Sequence, residues 1–229
     1  MKIFLVFICS LLISNLSLTA QKNKLVTVKA GTRILDYFPV HERYRYPVFT
    51  DGQVFYKNNA VSSTRFNYNL LSGEMEFIQL YDTLSIAGKK NILFITVAKD
   101  TFFYDNGYIE LISGGPVKVG LKQYFKLKEV LKKDTYGTSS SGGASTSYGS
   151  LPVGGNFYKL IANEDLVFQK IQDYYISSPS NEFVPFRKKT VIKLYPGEKD
   201  TVKAYLKSNR IDFNSVDDLL NLADYLQGL

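Results

Sequence analysis

Residues 64–80 constrain the fold of this chain more than any other stretch. Apolar and polar side chains alternate on either side of Ser72-Gly73, from Thr64 to Leu71 and from Glu74 to Leu80. A two-residue loop pairs Leu71 with Glu74, Leu70 with Met75 and Tyr68 with Phe77. That register puts Phe66, Tyr68, Leu70, Met75 and Phe77 on one face, and Asn67, Asn69, Glu74 and Glu76 on the other. One greasy face and one wet face is what a half-buried antiparallel hairpin requires, and a helix cannot satisfy a period of two.

Two more turn pairs repeat the pattern. Asp51-Gly52 separates residues 45–50 from 53–57, and Asn106-Gly107 separates 101–105 from 108–113. Such dipeptides suit the positive φ angles of tight hairpin turns. A longer strand follows, with Val117, Val119, Leu121, Phe125 and Leu127 on one side and Lys118, Lys122, Lys126 and Lys128 on the other. Further strands are expected at 157–161, 166–176 and 182–186.

The C-terminus changes period. A helix over 188–194 stops at Pro196-Gly197, and a second over about 198–208 carries Val202, Tyr205 and Leu206 on one side. Asn214 or Ser215 caps a third, in which Val216, Leu219, Leu220, Ala223 and Leu226 recur at helical spacing behind Asp217 and Asp218. The expected fold is mainly β with α: an antiparallel β-meander or open sandwich, closed by a C-terminal cluster of short helices. Its segments are an antiparallel β region over 21–135, a Ser/Gly-rich flexible loop over 136–156, further strands over 157–187, and helices over 188–229.

Residues 1–20 read as a signal peptide. Lys2 precedes the apolar run 3–12, and Ala20 is the natural residue before a cut. The run is short of the roughly 20 apolar residues of a membrane span. Cys9 follows Val6-Phe7-Ile8 rather than the small residues that precede a lipidated cysteine. Cleavage removes Lys2 and Cys9, leaving 27 of the 28 basic residues against 21 acidic ones, and no cysteine. Thiolate chemistry and disulfides are then excluded from the mature chain. The expected location is the periplasm, the outer membrane or the cell surface.

Two blocks carry a family resemblance. Residues 65–77, with Asn67-Tyr68-Asn69 and Glu74-Met75-Glu76-Phe77, resemble a hairpin of an uncharacterised family of exported Bacteroidota proteins. Tyr174-Tyr175, Lys188-Lys189, Leu194-Tyr195-Pro196 and the stretch from Leu206 to Leu219 resemble the tail of the same proteins. The resemblance implies export and a sheet with C-terminal helices, and transfers no catalytic residue.

Candidate chemistry is thin. His41 is the only histidine, in a polar connection. Glu74 and Glu76 share a strand face with carboxylates about 7 Å apart by strand geometry, a separation seen in glycosidases. Alternation alone, however, accounts for polar residues there. The lysine face Lys118, Lys122, Lys126 and Lys128, with Arg187, Lys188, Lys189 and Lys193, suits an anionic glycan or lipid headgroup, or protects a strand edge. No nucleic-acid motif accompanies it. Tyr44, Tyr46, Tyr136 and Tyr148 are the tyrosines expected at a binding surface. Gly142-Gly143 and Gly154-Gly155 lack the setting of a phosphate-binding loop. No metal, cofactor or enzymatic activity is expected. The expected function is a non-catalytic envelope protein that binds other proteins, as an accessory subunit of an outer-membrane complex. The alternatives are a soluble protein that binds a glycan or anionic ligand and, more remotely, a carboxylate-dependent hydrolase.

Overall fold

The computed structural model describes residues 25–133, 139–143, 161–178, 180 and 182–229. The expected signal peptide, Tyr136, Tyr148 and residues 157–160 lie outside the described residues. Among them, twelve strands join one antiparallel sheet in the order β1-β11-β9-β8-β7-β6-β2-β3-β4-β5, with β10 beside β9 and β12 beside β11. The strands are β1 (Leu25–Val28), β2 (Thr50–Tyr56), β3 (Val61–Asn69), β4 (Glu74–Gln79), β5 (Asp82–Ser85), β6 (Ile92–Val97), β7 (Asp100–Tyr104), β8 (Tyr108–Ser113), β9 (Val119–Lys133), β10 (Ser139–Gly143), β11 (Asp165–Ser177) and β12 (Phe183–Pro185). Two short helices, α1 (Ile34–Tyr37) and α2 (Val40–Arg43), precede β2.

The sheet curls back on itself. Phe125 of β9 donates its main-chain N–H to Leu70 O at 2.8 Å, and the Tyr68 hydroxyl donates to Gln123 O at 2.7 Å. The end of β3 thus returns to β9, closing β9-β8-β7-β6-β2-β3 into a ring. Its inner face carries Val54, Phe66, Tyr68, Ile95, Val97, Phe102 and Tyr108, which form one buried cluster with Met75 of β4. Fully burying each such side chain is worth about 1.5–3 kcal/mol, the main return against chain entropy.

The C-terminal helices are α3 (Lys188–Leu194), α4 (Lys199–Ser208) and α5 (Val216–Leu226). Ser215 Oγ accepts the Asp218 N–H at 3.3 Å, so Ser215 caps α5. Val191, Val202, Leu206, Leu219, Leu222, Ala223 and Leu226 pack with Val117, Val119 and Ile176 in a second cluster. A third joins β1, α1 and β11 with Leu71 from the β3–β4 loop.

Three expectations are corrected. Asp51-Gly52 is not a turn but lies inside β2, paired with Arg65 and Thr64 of β3. A Cβ on Gly52 would sit 2.2 Å from Thr96 O and 2.9 Å from the Phe66 ring, so this glycine serves a close approach of two strands rather than a bend. The β3–β4 hairpin forms, but with Phe66 opposite Phe77 and Tyr68 opposite Met75. Residues 70–73 therefore form the loop. The slip is two residues, an even number, so the faces stay as expected. Finally, Ser139–Gly143, within the expected 136–156 loop, pairs with β9 from Lys133 to Glu129. The Asn106-Gly107 turn is present one residue longer, with Tyr104 opposite Tyr108 and both turn residues at positive φ.

Candidate functional site

The expected wet face of the β3–β4 hairpin is buried. Asn67, Asn69, Glu74 and Glu76 are each at most 3 % exposed, and the strap 43–48 lies along the end of β3, over Asn67 and Glu76. Arg45 N–H donates to Tyr68 O, and Leu70 N–H to Arg43 O. Asn67 accepts the Tyr46 N–H and donates to Tyr46 O and Val48 O. Glu76 accepts from Asn69 Nδ2 at 2.9 Å and from the Tyr44 hydroxyl at 2.7 Å. Glu74 is paired with Lys89. Both carboxylates are thus committed to structural partners rather than turned towards a shared cleft.

Tyr44 and Tyr46 tie this strap down. The Tyr46 hydroxyl donates to Asp100 Oδ2 at 2.7 Å. Burial, then that bond, push its pKa well above the tyrosine range. Arg45 forks onto Glu110, with Nη2 at 2.8 Å from Oε1 and Nε at 3.0 Å from Oε2. The Glu110 bond holds the guanidinium charged beyond its ordinary range, against burial. Gln123 Nε2 adds a bond to Glu110 at 3.3 Å. Such bidentate pairs fix geometry as well as charge, and this one anchors the strap to β8 and β9.

The four lysines divide. Lys122 Nζ donates to Asp105 O and Asn106 O and lies 5.0 Å from the Tyr175 ring centroid. Burial lowers its pKa, with Asp105 and Asp173 opposing. Lys118 is half-buried beside Ser177, whereas Lys126 and Lys128 are exposed. His41 is exposed on α2.

A feature that sequence reasoning missed is a seam in the sheet. β3 pairs with β2 along 61–66, but its ladder with β4 runs only from Phe66–Phe77 to Asn69–Glu74. Beyond Phe77, β4 keeps only the Ile78 N–H to Arg65 O bond that flanks that pair, and its ladder continues with β5 alone, through Ile78–Thr83 and Gln79–Asp82. The β4–β5 hairpin therefore peels away from the first half of β3. Two open cavities flank the split, of about 740 Å³ and 630 Å³, and both are walled by Ser63, Thr64 and Ile78. One is polar, with Gln53, Arg65 and Thr96. The other is floored by Val54, Tyr56, Phe66, Phe77, Leu84 and Ile86.

At the hairpin tip stand Leu80, 88 % exposed, and Tyr81, 102 % exposed. They form a two-residue turn between Gln79 and Asp82, and Leu80 has φ 57°. Left-handed backbone costs a side-chain-bearing residue roughly 1 kcal/mol or more, which glycine would avoid. No alternation rule marks either feature. The one sequence signal is Leu80-Tyr81, an apolar pair where a turn calls for Gly or Asn.

No family model, curated protein or solved structure matches this chain. Among the described residues, no helix is long and apolar enough to cross a membrane.

Proposed function

We propose that this is a non-catalytic exported protein of the cell envelope that binds other proteins, as an accessory subunit of an outer-membrane complex. The observation that carries the reading is the Leu80–Tyr81 tip. Two large side chains are held fully in solvent, one on strained left-handed backbone, beside an open seam floored by core residues. Exposed apolar groups next to a polar rim are the usual makings of a protein contact, and strain kept at such a place points to use. The tyrosines first singled out, Tyr44 and Tyr46, hold the strap that supports this half of the sheet. Export rests on residues 1–20, with their basic start, apolar run and small residue before the cut.

The test is affinity purification of the tagged protein from its native envelope in mild detergent, with mass spectrometry of what accompanies it. The reading expects a stoichiometric envelope partner that is lost in the double variant Leu80→Ser, Tyr81→Ser. A protein that emerges alone would overturn it.

A further inference from the structure

The seam has a chemistry of its own. Tyr56 N–H donates to Ala60 O, and Arg45 N–H to Tyr68 O. Main-chain groups alternate in direction along an antiparallel strand, so the even residues of β3 serve β2 and the strap. Its odd residues turn the other way. Asn67 and Asn69 meet β4, but Ser63 and Arg65 face the split. On β4, Met75 O accepts from Ile86, which gives the odd residues to β5 and its approach and leaves Ile78 facing β3. The Phe66–Phe77 pair is flanked by an Ile78 N–H to Arg65 O bond, so the split opens just past it. Among the described residues, β4 has no ladder pair with Ser63 or Arg65, which leaves both groups of Ser63 and the Arg65 N–H facing the seam.

The two walls are also two-sided. Ser63, Arg65 and Ile78 project their side chains to one face, beside Gln53 and Thr96. Thr64, Phe66, Phe77 and Leu84 project to the other, over Val54 and Ile86. Arg65 is exposed and makes no ion pair among the described residues.

We propose that the seam between β3 and β4 receives an extended strand from a partner protein, whose alternate side chains are apolar towards Val54 and Phe66 and polar, with an acid opposite Arg65, on the other face. Unpaired N–H and C=O groups at strand spacing specify a polypeptide backbone, since no glycan or lipid headgroup offers donors and acceptors at that repeat. The apolar and polar cavities specify the period of two. The added strand bonds to both main-chain groups of Ser63 and to the Arg65 N–H, and the Leu80–Tyr81 tip closes over its end. This inference rests on the protein-binding reading and names the form the partner takes.

The experiment uses the whole exported chain and a phage library of random 12-residue peptides. Selected sequences are expected to alternate apolar and polar residues and to carry Asp or Glu. A synthetic peptide of the enriched sequence slows amide exchange at Ser63 and Arg65 and leaves Thr64, already bonded to β2, and Ile78, already bonded to Arg65, unchanged. Ser63→Pro removes a seam-facing N–H without touching the β2 ladder, and weakens that peptide about tenfold. Arg65→Glu leaves the backbone intact and switches the selected acid to lysine. Enrichment of helical periodicity, or protection elsewhere, would overturn the inference. So would an envelope partner that Ser63→Pro and Arg65→Glu both retain at full strength, although the protein-binding reading would then survive. A dimer in sedimentation that Ser63→Pro dissolves would assign the seam to a second copy and overturn the partner assignment.

Discussion

Tyr68 and Tyr108 face the same core, 3 % and 1 % exposed, and should respond to loss of their hydroxyls with opposite signs. The Tyr68 hydroxyl donates to Gln123 O at 2.7 Å. The Tyr108 hydroxyl is buried with no partner among the described residues. Removing one member of a buried bond costs about 1–3 kcal/mol, whereas removing an unsatisfied buried hydroxyl returns a desolvation penalty of that order. Tyr68→Phe should therefore destabilise by about 1 kcal/mol at pH 7, and Tyr108→Phe should stabilise by about the same, ~3 °C in Tm. In alkali the two variants act alike. Burial, reinforced by nearby Glu74, raises both phenols above their ordinary pKa. The unfolded chain releases these protons near pH 10 while the native state keeps them, so the native state holds more protons and stability falls as pH rises above 10. Each tyrosine contributes about 1.4 kcal/mol per pH unit to that fall, and each Phe variant should remove its share. Urea denaturation at pH 7 and at steps from pH 10 to 11.5 measures both effects. Loss of stability in Tyr108→Phe at pH 7, or an alkaline slope unchanged by either variant, would refute the reasoning.

Three further outcomes follow from the packing. Gly52→Ala places its Cβ 2.2 Å from Thr96 O and should cost about 3 kcal/mol or prevent folding, as read from thermal denaturation. Leu80→Gly relieves the left-handed residue at the exposed turn. It should raise stability by roughly 1 kcal/mol in chemical denaturation while weakening partner capture. Glu110→Ala strands the partly buried Arg45 and should destabilise by about 2 kcal/mol, with Arg45→Met, Glu110→Met together costing less than the sum in a double-mutant cycle.

The parts of this fold that were legible in the sequence are those governed by local period and end chemistry. Ser215 ahead of Asp217 and Asp218, and Pro196-Gly197 after Leu194, mark helix ends that a side chain or ring enforces locally. Strand parity in β3 and β4 also survived, because the hairpin slip is even. Polarity was the misleading signal. Asn67, Asn69, Glu74 and Glu76 alternate as a solvent face does, yet all four are buried and bonded, Asn67 to the strap's main chain, Glu76 to Tyr44 and Asn69, Asn69 also to the hairpin loop, and Glu74 to Lys89. Nothing in the period of a strand reports what later covers it. Asp51-Gly52 misled for a related reason, since a glycine needed for close strand approach is indistinguishable locally from one needed for a turn. The seam was illegible because it is a missing ladder: residues 61–65 pair well with β2, and only tertiary placement leaves their other edge open from the Arg65 N–H back to Val61.

The central claim is that the Leu80–Tyr81 end of the seam meets another envelope protein. A photo-crosslinking amino acid at Tyr81, in the native cell, tests it most directly, with the same group at exposed Lys207 on α4 as the comparison. The account predicts one discrete adduct from position 81, of constant mass, and none of that mass from position 207. No adduct from position 81, or the same diffuse set from both positions, would contradict it.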